Sequence, residues 1–410
     1  MPSEPILESR SGVYLLTWQD EQIQIRVDRV HAEKGGVYGE LLIRNTNRTV
    51  GHQHLHGPIH FNFLSSTTRK QLVNHLVDLA VIEWLGIIEQ LCYIVVEEHR
   101  TGQPAVNIAG YTPPDALGMR VAPIIQEKQA TLFFGDGDSL KSFFATYLAV
   151  LVRSGIKENG LHPEPGNVLY LDYETDIDTF WTRVSMITTG LDIAPPDGLF
   201  YRQMLEPLSD ELPRINTVVM DHKIQFVVVD SAAPAVLEPN SPEAATGFFR
   251  SLRSLQVTSL TIAHQTKGAK GDYPFGSTFW RNLPRSNFHI KADRSEDNVS
   301  IALRHTKANN GVHLKTLAFE FIFSKDGLCV DIKKTDAGEH EELARDLPTR
   351  DKIYSALSQP MTVQEIAVAT DCKADTVQRT LDRGRQKGHF AKNGKLWAKI
   401  YSDKDSIGQE

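Results

Sequence analysis

The chain has 410 residues, too many for one ordinary core, so two or three domains are expected. A hydrophobic share of 41% with 23% charged residues is that of a globular protein, and a net charge of −7 excludes one that coats nucleic acid over its whole surface. Its three cysteines, Cys92, Cys329 and Cys372, are widely spaced without a C-x-x-C pair, which speaks against a zinc cluster or disulfide framework and for a reducing compartment.

The first residues, MPSEPILESRSG, lack the basic segment and apolar run of a signal peptide. Short strands are expected in YLLTW, QIQIRV, VYGELLIR and IHFNF, separated by Gly, Asn and charged turns. Between the last two, GHQHLHGPIH puts His52, His54 and His56 on one strand face near His60, but no cysteine or well-placed carboxylate accompanies them as a metal ligand. From Thr67 to about Arg100 the pattern predicts one helix, with apolar residues over much of its circumference. Its most apolar part, Leu79 to Val96, carries Glu83 and Glu89, which a membrane span rarely tolerates; a cytoplasmic protein is expected.

After the turn-rich RTGQPAVNIAGYTPPDA the pattern changes. The apolar runs ATLFF, NVLYLD, IQFVVVD and SLTIAH recur between longer helical stretches, as in a parallel sheet covered on both faces. The charge-dense KTDAGEHEELARDLPTR reads as a linker, and a last unit follows: helix, helix, turn, helix and an Asn-Gly hairpin in AKNGKLWA. Thr362 and Glu365 form a capping-box pattern within it. The expected organisation is an α+β domain over 1–105, an α/β domain over 106–335, a linker over 336–348 and a winged helix-turn-helix over 349–402.

The chemistry concentrates in the α/β part. The segment ATLFFGDGDSLKSFF predicts a strand, a Gly-rich turn and a helix opening at Lys141–Ser142. In the pattern G-x-x-x-x-G-K-[ST] the glycines let backbone N–H groups wrap a phosphate, the lysine neutralises outer phosphates, and the hydroxyl ligates Mg²⁺. Gly135, Asp136, Gly137, Asp138, Ser139, Leu140, Lys141 and Ser142 fill that frame, with Leu140 in place of the second glycine. That position takes a backbone conformation costing a residue with a Cβ about 1 kcal/mol or more, so strain or a reshaped loop is expected. Later strand ends supply Glu174, suited to activating a water, and Asp230, suited to a magnesium shell. A third end carries His264, Gln265 and Lys267, where ligands bind in open α/β sheets.

These motifs, GDGDSLKS, LYLDYETD, FVVVDSAAPA, AHQTK, PFGSTFWRNLPR and ALRHTKANNG, resemble in order those of the RecA-like P-loop ATPases that include the RepA-type hexameric replicative helicases of plasmids and phages. The resemblance covers about 100–330. It implies a RecA-like parallel-sheet core that binds ATP and Mg²⁺, with Lys141 on the β/γ-phosphates, Ser142 and Asp230 on the metal, and Glu174 as catalytic base. It also implies His264 or Gln265 as the γ-phosphate sensor. Arg285, Arg304 and Lys307 are candidates for a cation supplied across a subunit interface, where such a group is worth about 10³–10⁵ in rate. The chain has Asn309 where many such helicases place an arginine.

For nucleic acid, the segment 267–285 mixes Lys267, Lys270, Arg281 and Arg285 with Tyr273, Phe279 and Trp280, a combination suited to single-stranded DNA in a ring's channel. From Arg350 to Lys399 ten basic residues stand against five acidic ones, and Arg379, Arg383, Arg385 and Lys387 crowd the third helix as phosphate contacts would. The expectation is a homo-oligomeric, hexameric ATPase moving on DNA as a replicative helicase of a plasmid, phage or mobile element. The alternatives are a DNA-binding adaptor or replication regulator with a weak or inactive nucleotide site, and a transcriptional or partition regulator.

Overall fold

The computed structural model describes residues 1–10, 12–47, 54–102, 105–112, 118–266, 273–295 and 298–400. Lys267, Lys270 and His52 lie outside them. The chain divides into two compact units: Met1–Asp115 with Asp210–Met220 and Ser254–Gln256, and the remainder.

In the first unit, strands β1 (Ile6–Arg10), β2 (Val13–Trp18), β3 (Ile23–Glu33), β4 (Gly36–Asn45) and β5 (His54–Asn62) form an antiparallel meander in chain order. Alternate residues of the central strands, Ile23, Ile25 and Val27 with Leu41 and Ile43, are buried. They pack in one cluster with Leu72, Ile87, Leu91 and Val95 from helices α1 (Ser66–Val77) and α2 (Trp84–Thr101). The period of two on the strands and of three to four on the helices makes one face of each apolar.

Where one helix is expected over Thr67–Arg100 there are two. The 1%-exposed Trp84 donates its indole N–H to the Ala80 carbonyl at 3.0 Å, so the chain turns over residues 78–83 to bury that ring, and α2 starts afresh from it. Two histidines of β5 pack against other rings: His56 lies 4.4 Å from His75, and His60 stacks on Tyr38 at 5.4 Å between centroids.

The second unit opens with the short strands β6 (Met119–Ala122) and β7 (Ile125–Gln126). It continues with β8 (Ala130–Gly135), α3 (Lys141–Ser154), β9 (His162–Pro163), β10 (Asn167–Asp172), α4 (Ile177–Gly190) and β11 (Leu199–Gln203). Helix α5 (Leu208–Asp221) belongs over most of its length to the first unit, where Asn216 donates to the Arg10 carbonyl at 2.7 Å. Then follow β12 (Ile224–Asp230), α6 (Pro242–Ser254), β13 (Thr258–His264), α7 (Phe279–Asn282), β14 (Ser286–Arg294), β15 (Asn298–Ala308), β16 (Leu317–Phe323) and β17 (Val330–Thr335).

Nine of these strands form one sheet in the order β11-β10-β12-β13-β8-β14-β15-β16-β17. The first six run parallel, and the last three are joined antiparallel. Strand β13 separates β8 from β12. Every residue of α3 from Phe143 to Val152 is buried, which explains why its sequence is apolar on all sides. Phe144 packs on Phe133 and Phe319, tying the helix to the parallel and antiparallel parts at once.

The chain ends with α8 (Glu341–Arg345), α9 (Thr349–Ala356), α10 (Val363–Thr370) and α11 (Ala374–Gln386), and with the small antiparallel sheet β18 (Met361–Thr362), β20 (Leu396–Lys399), β19 (Phe390–Asn393). Thr362 and Glu365 make the reciprocal capping box at α10. Ile353, Ile366, Val377, Leu381, Phe390 and Trp397 form a separate small core. No described helix is long and apolar enough to cross a membrane.

One close approach fixes where the central sheet meets the Gly-rich turn. A Cβ on Gly135 would lie 2.1 Å from the Ile290 carbonyl oxygen of the adjacent β14. Gly135→Ala is expected to lower unfolding stability by about 1–3 kcal/mol through forced backbone movement, read by urea denaturation.

Candidate nucleotide site

The parallel register brings four strand ends together as two level pairs, two residues apart. Asp172 of β10 pairs with Asp230 of β12, Asp230 with Ile262 of β13, and His264 of β13 with Gly135 of β8. Near-continuous apolar strands stop where polar residues begin, and those residues meet beside the N-terminus of α3.

Lys141 is only 5% exposed. Its ammonium donates to the Asp136 carbonyl and, at 3.0 Å, to the Ser139 hydroxyl. Burial lowers its pKa, and the nearby carboxylates of Asp230, Glu174, Asp136 and Asp138 act the other way. The turn holds two non-glycine residues in the left-handed region: Asp138 at φ 61° and Leu140 at φ 52°, ψ 22°. The conformation expected of the missing glycine is therefore adopted by a leucine. Leu140 packs on the central core, which offsets part of that strain.

On the facing strands, Asp172 shapes the turn that presents Glu174. Its Oδ1 accepts the N–H groups of Glu174 and Thr175, both at 2.9 Å, and Asp176 then caps α4 through the Thr179 N–H at 2.8 Å. Glu174 Oε1 accepts from the Ser231 hydroxyl and, at 3.3 Å, from His264 Nε2. These contacts, led by His264, outweigh burial and hold the Glu174 carboxyl below its ordinary range.

Asp230 is almost fully buried, and its Oδ2 accepts from Tyr170 at 2.7 Å. Desolvation pushes its pKa up to about 6, against the pull of the Tyr170 and Ser142 hydroxyls. Its other oxygen, Oδ1, is buried without a hydrogen-bond partner among the described residues. A hard cation fits that atom. No group of three His, Cys, Asp or Glu side chains gathers as a metal site among the described residues. Mg²⁺ needs none, because it commonly takes one or two protein oxygens and completes its shell with water and phosphate.

Lys141, Ser142, Glu174, Asp230 and His264 line one cavity of about 220 Å³ together with Arg183. A larger cavity of about 550 Å³ lies on the other side of the loop, between Asp136–Ser139, β14 and α8.

Of the two sensor candidates, His264 faces the smaller cavity. Gln265 turns away, its Oε1 accepting from His289 Nε2 at 2.7 Å. Arg304 sits on β15 opposite His289, near the loop end of the sheet. Arg285 and Lys307 lie at the other end: the Arg285 N–H bonds the Ala130 carbonyl, and Lys307 donates to the carbonyls of Asn282 and Pro284. Ala130 and Gly135 are five strand steps apart, roughly 16 Å, beyond the reach of an arginine side chain. Arg285 and Lys307 therefore do not reach the Gly-rich turn of their own chain.

Two residues escaped the sequence reading. Arg183 of α4 lines the cavity, with one guanidinium nitrogen 3.9 Å from Asp230 and without a hydrogen-bond partner. Its only sequence signal is its place beside the buried stripe Phe180, Val184 and Ile187. Arg294, at the end of β14, donates to the Asp138 carbonyl and touches both cavities.

Among the basic residues read as nucleic-acid contacts, Arg379, Arg383, Arg385 and Lys387 are all exposed on and just after α11. Arg281 lies over the Tyr273 ring at 4.6 Å. Trp280, grouped in the sequence with the stacking aromatics, is instead buried at 1% exposure against Phe248 and Phe249. It is unavailable to a base, because its flanking residues let α6 enclose it.

The Asp230 carboxyl is expected to gain its proton near pH 6, visible as a protonated-carboxyl band in infrared spectra and absent in Asp230→Asn. Tyr170→Phe removes a donor to the charged form and should move that transition to higher pH.

No curated protein matches the chain. Residues 100–270 match the family model of an AAA domain, a likeness over that part of the chain to nucleotide-hydrolysing ATPases of the P-loop class.

Proposed function

We propose that the protein is an oligomeric ATPase that moves on DNA, a replicative helicase of a plasmid, phage or mobile element. The observation that carries the ATPase part is the convergence of Lys141, Asp230, Glu174 and His264 from four strand ends onto one cavity.

In this reading the β- and γ-phosphates take the place of the loop carbonyl as partners of Lys141, with backbone N–H groups of Gly135–Ser142 around them. The larger cavity on the far side of the loop receives the nucleoside half. Ser142 and the free Asp230 oxygen hold Mg²⁺, which supplies charge neutralisation at the phosphates. Glu174, kept anionic by its donors, orients the attacking water and accepts its proton. His264 links Glu174 to the outer phosphate as sensor, and Arg183 adds positive charge beside Asp230.

One feature of the geometry supports assembly. The distance that separates Arg285 and Lys307 from their own loop suits cations offered to a neighbouring subunit, a hexameric ring being the arrangement favoured by the resemblance. The exposed cations of α11, on a three-helix unit with a hairpin, support a winged helix-turn-helix bound to duplex phosphates. Arg281 beside Tyr273 supports a single-strand contact, which with Lys267 and Lys270 would form the channel lining.

The second reading, an adaptor with a weakened nucleotide site, draws on the left-handed Leu140. One variant separates them. If Leu140 cripples the loop, Leu140→Gly should raise nucleotide affinity and turnover; if the loop is adapted, it should change them little.

ATP hydrolysis should depend on assembly and be stimulated by single-stranded DNA, measured by phosphate release alongside the mass of the complex in solution. Lys141→Ala should abolish it, and full activity in a monomer at all concentrations would sink the proposal. Because a proton and Mg²⁺ compete for Asp230, hydrolysis at limiting magnesium should fall as pH drops through about 6 and recover when magnesium is raised.

A further inference from the structure

At the opposite end of the sheet from the phosphate loop is a third cavity of about 420 Å³, within the roughly 300–1,000 Å³ range of small-molecule sites. Four cations line it: Lys128 from the turn before β8, Arg250 and Arg253 from α6, and Arg285 from the turn before β14. No carboxylate lines it, and none of the four makes an ion pair among the described residues.

The sequence builds this charge deliberately into one place. Arg250 and Arg253 stand three residues apart and so share a helix face, while the buried Phe249 and Leu252 hold that helix against the sheet. All four cations are exposed, and the floor between them is apolar, formed by Val257 and Leu283 with those two side chains. Lys307, outside the cavity lining, feels one of these four charges. Burial lowers its pKa first, and the charges of Arg285 and Arg281 lower it further. Like charges gathered without counter-charge repel one another, and an anion relieves that repulsion.

We propose that this cavity is a second phosphate-binding site, taking the phosphate of a nucleotide unit on its arginines with the apolar part of the unit against the floor. The nucleotide comes either from a nucleic-acid strand or from the free pool. The site is distinct from the Lys141 loop of its own chain and does not depend on hydrolysis there.

The test uses the full chain, with Arg250→Gln/Arg253→Gln as the main variant and Lys128→Gln as a milder one, both checked for unchanged circular dichroism and urea unfolding. Arg285 is left intact because it is also a candidate trans cation. A fluorescein-labelled dT20 oligonucleotide probes the strand, and a fluorescent ADP analogue probes the free nucleotide in a Lys141→Ala background.

A strand ligand predicts at least tenfold weaker dT20 binding by the double variant, with the slope of log affinity against log salt reduced by about 1.4 for two lost phosphate contacts. A free-nucleotide ligand predicts instead that ADP-analogue binding persisting in Lys141→Ala is lost on adding the double substitution. Unchanged affinity for both probes in both variants overturns the proposal, whatever the fate of the ATPase reading.

Discussion

The Lys141 ammonium is taken almost wholly out of water, and a charge so placed is tolerated only where dipoles and opposite charges replace its hydration. The loop carbonyl of Asp136 and the hydroxyl of Ser139 do part of this, and the carboxylates of Asp230 and Glu174 do the rest at longer range. Of the carboxylates, Asp230 is in turn expensive to bury, whereas Glu174 keeps part of its surface in solvent. Asp230 answers with a raised pKa and a tyrosine donor, Glu174 with serine and histidine donors. Each buried charge is tolerable because the others are present, so the cavity is preorganised around an alternation of sign.

That alternation requires strand ends held in fixed register, and the parallel sheet supplies it. Hydrogen-bonded register between β10, β12, β13 and β8 fixes Asp172, Asp230 and Ile262 in one row and His264 and Gly135 in a second, two residues further along. Helix α3, buried along nearly its whole length, is held in turn by aromatic packing from both halves of the sheet. A site built this way is rigid on its protein side.

Much of this was legible in the sequence because burial on both faces demands uninterrupted apolar strands. ATLFF, NVLYLD, IQFVVVD and SLTIAH became β8, β10, β12 and β13, and the polar or glycine residues at or just after the end of each run line the candidate site. What stayed hidden depended on three dimensions. Strand β11 is only half-buried and carries no clean period. The break between α1 and α2 depends on where Trp84 finds its cavity rather than on a proline or glycine. Arg183 reaches Asp230 from a helix 47 positions earlier in the chain, and no spacing rule connects them. The choice between the neighbours His264 and Gln265 was decided by strand alternation, which sends one to the cavity and the other to His289.

Leu140 shows how two opposing terms can nearly cancel. The left-handed conformation costs an L-residue roughly 1–2 kcal/mol, and glycine would escape that cost. Full burial of a leucine side chain contributes about 1.5–3 kcal/mol, and Leu140, partly buried against the central core, gains a fraction of that. The two terms are of similar size. Leucine is then no simple lesion, because glycine would relax the backbone and lose the contact together. What leucine changes is the stiffness of the turn, since glycine has many backbone states and an apolar side chain anchored in the core has few. A turn pinned to its own core has less to lose in entropy on closing round a ligand, and less freedom to adapt to one.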